Sequence, residues 1–85
     1  MARIEIYTTP ICGFCAMAKR LLKAKGAAFE ETDVMMDPSR KAEMMQRAGG
    51  RRTVPQIFID GVHVGGCDDL MDLDAEGRLD PMLAA

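Results

Sequence analysis

Two cysteines, Cys12 and Cys15, lie between a strand-like and a helix-like segment, and this placement limits the folds open to the chain. The apolar–polar alternation of Arg3–Tyr7 predicts the strand. From Phe14 onward, apolar residues recur at helical spacing. A thiol at the N-terminus of a helix is acidified, because backbone N–H groups and the helix dipole stabilise the thiolate. The pair therefore suits thiol–disulfide exchange, although it could also supply half of a zinc site.

The predicted helix has one apolar face, and Gly26 is expected to end it. The members of this face recur every three or four residues: Phe14, Met17, Ala18, Leu21 and Leu22. Ala28–Asp33 is interpreted as a second strand. Asp37 followed by Pro38 is typical of an N-cap and a first helical residue, and predicts a helix that continues to about Ala48.

The C-terminal half predicts a strand pair and a helix. Gln56–Ile59 is interpreted as a third strand, Asp60-Gly61 as a type I′ turn, and Val62–Val64 as the antiparallel return. Gly65-Gly66 is expected to break that strand, and Cys67–Glu76 is interpreted as a helix. The tail, Arg78–Ala85, is expected to add a short helical turn. The element order predicts an α/β fold, with a four-stranded mixed sheet flanked by three or more helices.

Composition narrows the classes of function. The chain has 85 residues, so we expect one domain over residues 1–85. Its net charge is −2. It has no basic block interleaved with aromatic residues and no apolar run of about 18 residues, so we expect neither nucleic acid nor a membrane as partner. The N-terminus enters a strand at once, without a visible secretory signal. Three cysteines are too few for a disulfide scaffold, and a reducing cytoplasm is the expected location.

Three segments together resemble a known family. A Cys-x-x-Cys motif between a strand and a helix, in this element order, resembles the thioredoxin fold. Thr53–Ile59 resembles the glutaredoxin segment whose proline is cis and faces the active site. Gly65–Leu70, with Gly50-Arg51 before it, resembles the glutaredoxin segment that binds glutathione. Essentially the whole chain is similar to short bacterial dithiol glutaredoxins, the glutaredoxin 3 type.

The resemblance implies a glutathione-dependent thiol–disulfide oxidoreductase that reduces protein disulfides and glutathione mixed disulfides. Glutathione would be the co-substrate, and the partners would be glutathionylated or disulfide-bonded proteins. Cys12 would be the nucleophile and Cys15 the resolving thiol, which is expected to be less exposed. A monomer is expected.

The resemblance also implies a glutathione site. Its residues would be Phe14, Arg51, Thr53, Val54, Pro55, Gly66, Cys67, Asp68 and Asp69. A cis Pro55 would direct the backbone of Val54 toward the cysteinyl part of glutathione. The N-terminus of the last long helix would hold the γ-glutamyl carboxylate, and Asp69 would accept a hydrogen bond from the ammonium group. Arg51 or Arg52 would hold the glycine carboxylate.

The residues alone also allow simpler interpretations of this site. Asp68 and Asp69 could form an ordinary acidic first turn. The two arginines could be solvated charges. The spacing of Phe14 favours core packing over an aromatic wall beside the reactive sulfur. Cys67 is expected to be a small, partly buried residue beside the glutathione site.

The active-site motif departs from the usual Cys-Pro-Tyr-Cys of the family, because Gly13 and Phe14 replace proline and tyrosine. Cys-Gly-Phe begins the motif of the monothiol glutaredoxins that handle iron–sulfur clusters. The alternative function is therefore a homodimer that binds and transfers a [2Fe-2S] cluster through Cys12 of each chain and two glutathiones. Thr9 stands where the family often has a lysine. Zinc is not expected, because no second Cys-x-x-Cys or His-x-x-x-His spacing is present, and His63 is expected to be structural.

Overall fold

A computed structural model describes residues 2–85 of the chain. All the predicted strands and helices are present, in the predicted order. The strands are β1 (Ile4–Thr8), β2 (Glu30–Asp33), β3 (Gln56–Ile59) and β4 (Val62–Gly65). The helices are α1 (Gly13–Ala24), α2 (Pro38–Arg47), α3 (Cys67–Ala75) and α4 (Leu79–Ala84).

The strands form one mixed sheet in the order β2-β1-β3-β4. β1 and β2 are parallel, which leaves α1 as the crossover between them. β3 runs antiparallel to both β1 and β4. The predicted α/β architecture is confirmed, and it is the thioredoxin fold.

Alternate residues of β1 and β3 separate two cores, because successive side chains of a strand point to opposite faces of the sheet. Ile6 and Ile57 belong to the core that also contains residues of α1, α3 and α4. Tyr7 and Phe58 belong to the second core, with Met44 of α2. The loops at the ends of β1 and β3 that carry the candidate site are thus held by packing on both sides of the sheet.

Predicted turn and cap residues take the conformations expected of them. Asp60 and Gly61 both have positive φ, 51° and 78°, as a type I′ turn requires. The carboxylate of Asp37 accepts hydrogen bonds from the backbone N–H groups of Ser39 and Arg40, at 3.1 and 3.3 Å. These local signals therefore fix the start of α2 and the β3–β4 hairpin.

The predicted apolar face of α1 is partly wrong. The buried line of the helix consists of Cys15, Ala18 and Leu22, whereas Phe14 is 65% exposed and Met17 is 42% exposed. Phe14 precedes Cys15 by one residue, which rotates its side chain by about 100° around the helix axis. Core packing of Phe14 is therefore excluded.

Three strand boundaries also differ from the prediction. β2 begins at Glu30 rather than at Ala28. β1 lies one residue further along the chain, at Ile4–Thr8. Gly65 does not break β4 but ends it, because it pairs with Ile57 and has a φ of 118°. Among residues 2–85, no helix is both long and apolar enough to cross a membrane.

Candidate active site

Cys12 is the N-cap of α1, and Cys15 lies in the first turn. Their Cα atoms are 5.2 Å apart and their sulfurs form a disulfide. The Sγ atom of Cys12 also accepts a hydrogen bond from the backbone N–H of Cys15, at 3.1 Å. This donor belongs to the free N–H groups of a helix N-terminus, which stabilise a negative charge on sulfur. Cys15 is only 1% exposed and Cys12 is partly exposed, as predicted for an inner and an outer thiol.

The loop before β3 lies against the same sulfur. The Val54–Pro55 peptide bond is cis, as the resemblance implied. The carbonyl oxygen of Val54 lies 3.9 Å from Sγ of Cys12, and Pro55 is buried. The backbone of this loop therefore borders the Cys12 sulfur.

The N-terminus of α3 forms a second polar centre. Gly66 is the N-cap, and its backbone N–H donates a hydrogen bond to the carboxylate of Asp69 at 2.8 Å. The same carboxylate pairs with Nη1 of Arg51 at 3.2 Å. The hydrogen bond from Gly66, followed by the interaction with Arg51, lowers the pKa of Asp69 below its usual value. Asp69 is thus an anion at neutral pH.

Cys67 opens α3 but lies in a different environment from Cys12. Its side chain is only 5% exposed. Burial, and to a smaller extent the negative charge of Asp68, raises the pKa of its thiol. Cys67 therefore remains protonated at neutral pH, as a thiol packed under the site.

A cavity of about 340 Å³ joins the loop before β3 to the N-terminus of α3. It is lined by Phe14, Arg51, Thr53, Val54, Pro55, Gly66, Cys67 and Asp68. Every residue of the predicted glutathione set except Asp69 therefore lines it. Asp69 is connected to the cavity through its contacts with Arg51 and Gly66.

Phe14 and Arg51 stand at this cavity in roles that the sequence left open. The exposed ring of Phe14 lines the cavity two residues beyond Cys12, so its position is that of an aromatic wall. Arg51, rather than Arg52, lines the cavity and is held by Asp69.

Gly65 contributes to the site in a way that the sequence analysis did not identify. A Cβ atom at this position would overlap the carboxylate of Asp69 and would lie 2.9 Å from Nη1 of Arg51. The two side chains thus pack directly on the backbone of Gly65. The sequence predicts a strand break at Gly65-Gly66 and a resemblance to a glutathione-binding segment over Gly65–Leu70, but it does not single out Gly65 as a site residue.

Side chains of the types that bind metal ions are not clustered within the described residues. Among residues 2–85, no three histidine, cysteine, aspartate or glutamate side chains are arranged to hold a metal ion. His63 instead forms a hydrogen bond with Gln56 and stacks on Phe58, which agrees with a structural position.

Comparison with known proteins agrees with this geometry. The glutaredoxin family model matches residues 4–64. Glutaredoxin 3 of Escherichia coli strain K12 is 53% identical over 83 residues, which cover 98% of this chain and 99% of that protein.

Two solved structures are similar along nearly the whole chain. The solution structure of glutaredoxin from Brucella melitensis is 55% identical, covers 98% of this chain and 89% of that one, and has a TM-score of 0.85. The crystal structure of a buckwheat glutaredoxin–glutathione complex is 32% identical, covers 98% and 77% of the two chains, and has a TM-score of 0.89. With its buried–exposed cysteine pair, this chain therefore belongs to the glutaredoxin family of glutathione-dependent thiol–disulfide oxidoreductases.

Proposed function

We propose that Cys12 is the nucleophile of this oxidoreductase and that glutathione binds in the 340 Å³ cavity beside it. The observation that carries the proposal is that the Cys12 sulfur, at the N-terminus of α1, lies beside a cavity with polar lining residues. The outer sulfur of the pair accepts an N–H bond at a helix N-terminus, and the adjacent cavity is lined by backbone and charged groups suited to a small acidic peptide.

The reaction begins when the Cys12 thiolate attacks the glutathione sulfur of a mixed disulfide. A bond forms between Cys12 and glutathione, the original disulfide bond breaks, and the released thiolate takes a proton from water. A second glutathione thiolate then attacks the sulfur of the bound glutathione. Glutathione disulfide leaves, and the Cys12 thiolate is restored. The N–H of Cys15 stabilises that thiolate at the start and at the end.

Glutathione is an acidic tripeptide, and the charges around the cavity suit its two ends. Arg51 would hold the glycine carboxylate, and the first N–H groups of α3 would hold the γ-glutamyl carboxylate. Asp69 would accept a hydrogen bond from the ammonium group. The Arg51–Asp69 pair does not prevent this, because a guanidinium has five donors and a carboxylate has about four acceptor sites.

The middle of the tripeptide would lie along Thr53 and Val54. Backbone groups that border a cavity can pair with an extended peptide in the manner of an added strand. The contact between the Val54 carbonyl and Sγ of Cys12 supports pairing of the cysteinyl residue of glutathione with Val54. In that position the cysteinyl sulfur would lie next to the nucleophile. Phe14 would cover the opposite side of that sulfur.

Cys15 would resolve disulfides formed between Cys12 and a protein substrate. It is buried, but its sulfur already lies within bonding distance of Cys12. Attack by Cys15 on a Cys12–protein disulfide would release the reduced protein and leave the Cys12–Cys15 disulfide, which two glutathiones would then reduce. Reduction of a glutathione mixed disulfide does not need this step.

The proposal is tested by glutathione mixed-disulfide reduction, coupled to NADPH and glutathione reductase. Wild-type protein and Cys15→Ser should both reduce a glutathionylated peptide, whereas Cys12→Ser should show only the uncatalysed rate. Loss of this activity in Cys15→Ser, or turnover by Cys12→Ser, would contradict the assignment of the two thiols.

A second candidate function is the binding and transfer of a [2Fe-2S] cluster by two chains. The supporting observation is the open apolar surface at Cys12, where Ile11 is 93% exposed and Gly13 has no neighbouring atom within 4 Å of an added Cβ. One chain offers Cys12 alone, so two chains and two glutathiones would complete four thiolates. Reconstitution with iron, sulfide and glutathione would then give a brown dimer, and a colourless monomer on a sizing column would exclude this function.

We also infer that the protein works in a reducing compartment. A partly exposed dithiol recycled by glutathione needs a pool of reduced glutathione, which the cytoplasm supplies. Fractionation of cells that carry the chain with a C-terminal tag would test this, and recovery outside the cytoplasmic fraction would contradict it.

A further inference from the structure

A chain of hydrogen bonds connects the hairpin strand β4 to the loop that lines the cavity. Gln56, the first residue of β3, is fully buried. Its Nε2 atom donates to the backbone carbonyl of Thr53 at 2.9 Å and lies 3.3 Å from the Thr53 hydroxyl. Its Oε1 atom lies 2.7 Å from Nε2 of His63. The side-chain amide of Gln56 thus connects the backbone of Thr53, at the start of this loop, with the imidazole of His63 on β4.

The sheet geometry explains why these side chains meet. His63 pairs across the strands with Phe58, and Gln56 precedes Phe58 by two residues, so all three share one face of the sheet. The ring of His63 stacks on Phe58 with 5.0 Å between centroids and 28° between planes. Phe58 itself is fixed in the α2-side core. Stacking on Phe58 therefore positions the imidazole independently of its hydrogen bond with Gln56.

The donors and acceptors in this series of hydrogen bonds determine which ring nitrogen of His63 carries the proton. The Thr53 carbonyl can only accept, so the amide NH2 of Gln56 must face it. The Oε1 atom then faces His63, which must donate from Nε2. Without that donor, a buried amide oxygen would be left without a partner, and such a group is costly in a protein interior. The orientation of Gln56 thus depends on His63.

We infer that His63 is a positioning residue for the glutathione site, because its Nε2–H orients the Gln56 amide that holds the Thr53 carbonyl beside the cavity. The inference rests on the proposed glutathione site. His63 does not touch the cavity and transfers no proton in the reaction. Its effect reaches the substrate through Thr53 and Val54, the residues that would lie along glutathione. It should therefore change substrate binding more than the chemical step.

Two substitutions separate the donor from the ring. His63→Phe retains an aromatic ring against Phe58 but has no donor. His63→Gln loses the ring but can donate an N–H to Gln56. We expect His63→Phe to raise the KM for a glutathionylated peptide about three- to tenfold, the effect of one lost hydrogen bond, with kcat within about twofold of wild type. His63→Gln should bring KM back to within about twofold of wild type.

Val62→Thr is the matched control, because Val62 is the exposed neighbour of His63 on β4 and lies outside the chain of hydrogen bonds. It should leave KM and kcat unchanged. A normal KM in His63→Phe would overturn the inference. Equal impairment in both His63 variants would also overturn it, because a donor restored at this position would then not restore substrate binding.

NMR of the wild-type protein provides a second readout that does not depend on turnover. The ring nitrogens of His63 should show the Nε2–H tautomer, and His63→Phe should shift the side-chain NH2 signals of Gln56. The opposite tautomer would contradict the inference. Titration with glutathione then distinguishes the two proposals. If the wild-type signals of Thr53 and Val54 do not move, the proposed site fails and the inference with it. If they move with the same dependence on glutathione concentration in wild type and His63→Phe, only the inference fails.

Discussion

Two helices of this protein have a cysteine at the N-terminus, one as the N-cap and one as the first helical residue, and the two side chains are in opposite environments. Cys12 is the N-cap of α1, partly exposed, with the N–H of Cys15 pointing at its sulfur. Cys67 is the first residue of α3, buried, and its pKa is raised by burial. Position at a helix N-terminus is therefore not enough to make a thiol reactive.

The difference lies in which group uses the free N–H donors of each helix. The first turn of α1 contains no acidic residue, so its positive end is available to the Cys12 sulfur. The first turn of α3 contains Asp68 and Asp69, and the carboxylate of Asp69 already accepts the N–H of Gly66. The α1 terminus thus favours a thiolate, whereas the α3 terminus holds charged side chains and, as proposed, the γ-glutamyl end of glutathione.

The largest predicted effect comes from substituting the two thiols separately. Cys12→Ser should reduce mixed-disulfide turnover to the uncatalysed rate, because a serine hydroxyl does not ionise at neutral pH. Cys67→Ser retains the backbone N–H groups of α3 and should keep kcat within about twofold, since the buried thiol is not the proposed nucleophile. The coupled glutathione reductase assay measures both. A comparable loss of kcat in the two variants would remove the distinction between the helices.

The next effect concerns the backbone of Gly65. Gly65→Ala would place a Cβ atom on the carboxylate of Asp69 at a φ of 118°. We expect a loss of about 1–3 kcal/mol in the free energy of unfolding and a higher KM for the glutathionylated substrate. Gly77→Ala is the control, because Gly77 also has positive φ (71°) but no atom within 4 Å of an added Cβ. Urea unfolding and steady-state kinetics measure both variants.

Gly77→Ala should cost some stability and leave KM unchanged. If Gly65→Ala behaved in the same way, the close packing of Asp69 and Arg51 on Gly65 would not matter for substrate binding. A rise in KM confined to Gly65→Ala would support a binding role for the α3 terminus.

The strands, the helices and the dithiol could be predicted from local signals in the sequence. The turn at Asp60-Gly61 and the helix start at Asp37-Pro38 are each encoded by two or three neighbouring residues. The dithiol requires only that a helix begins at Cys12 and Cys15. The exposure of Phe14 could not be predicted, because it depends on which side of α1 faces the sheet, and Cys15 rather than Phe14 occupies that side.

Contacts between distant segments were the other part that the sequence did not show. Arg51 and Asp69 are 18 residues apart, and their ion pair depends on how the loop before β3 meets α3. The link from His63 to Gln56 depends on the pairing of β3 with β4 and on a buried amide whose orientation no local pattern encodes. Long-range geometry of this kind follows from the fold as a whole.

The smallest predicted effect concerns the charge of Asp69. Asp69→Asn removes the partner of Arg51 and the proposed acceptor for the ammonium group, and should raise KM about threefold, a modest effect because the site is open to solvent. The interactions of Asp69 lower its pKa in the folded protein. Their contribution to stability is therefore present above the usual pKa of an aspartate, about 3.9, and is lost as pH falls through the lower folded value.

The stability difference between wild type and Asp69→Asn should accordingly narrow on acidification through that range. Urea unfolding at neutral pH and at successively lower pH measures it. A difference that stays constant down to the acid end would show that the charge of Asp69 does not stabilise the α3 terminus.

The contrast between the two helix termini is tested most directly by the alkylation rates of the individual thiols. Fully reduced protein is treated with iodoacetamide over a range of pH, and each cysteine is followed by peptide mass spectrometry. Cys12 should react rapidly well below about pH 8.5, the ordinary pKa of a cysteine, while Cys67 stays unmodified until the protein is unfolded in urea. Equal rates for Cys12 and Cys67 in the folded protein, or a Cys12 rate that still rises tenfold per pH unit up to that value, would contradict the account.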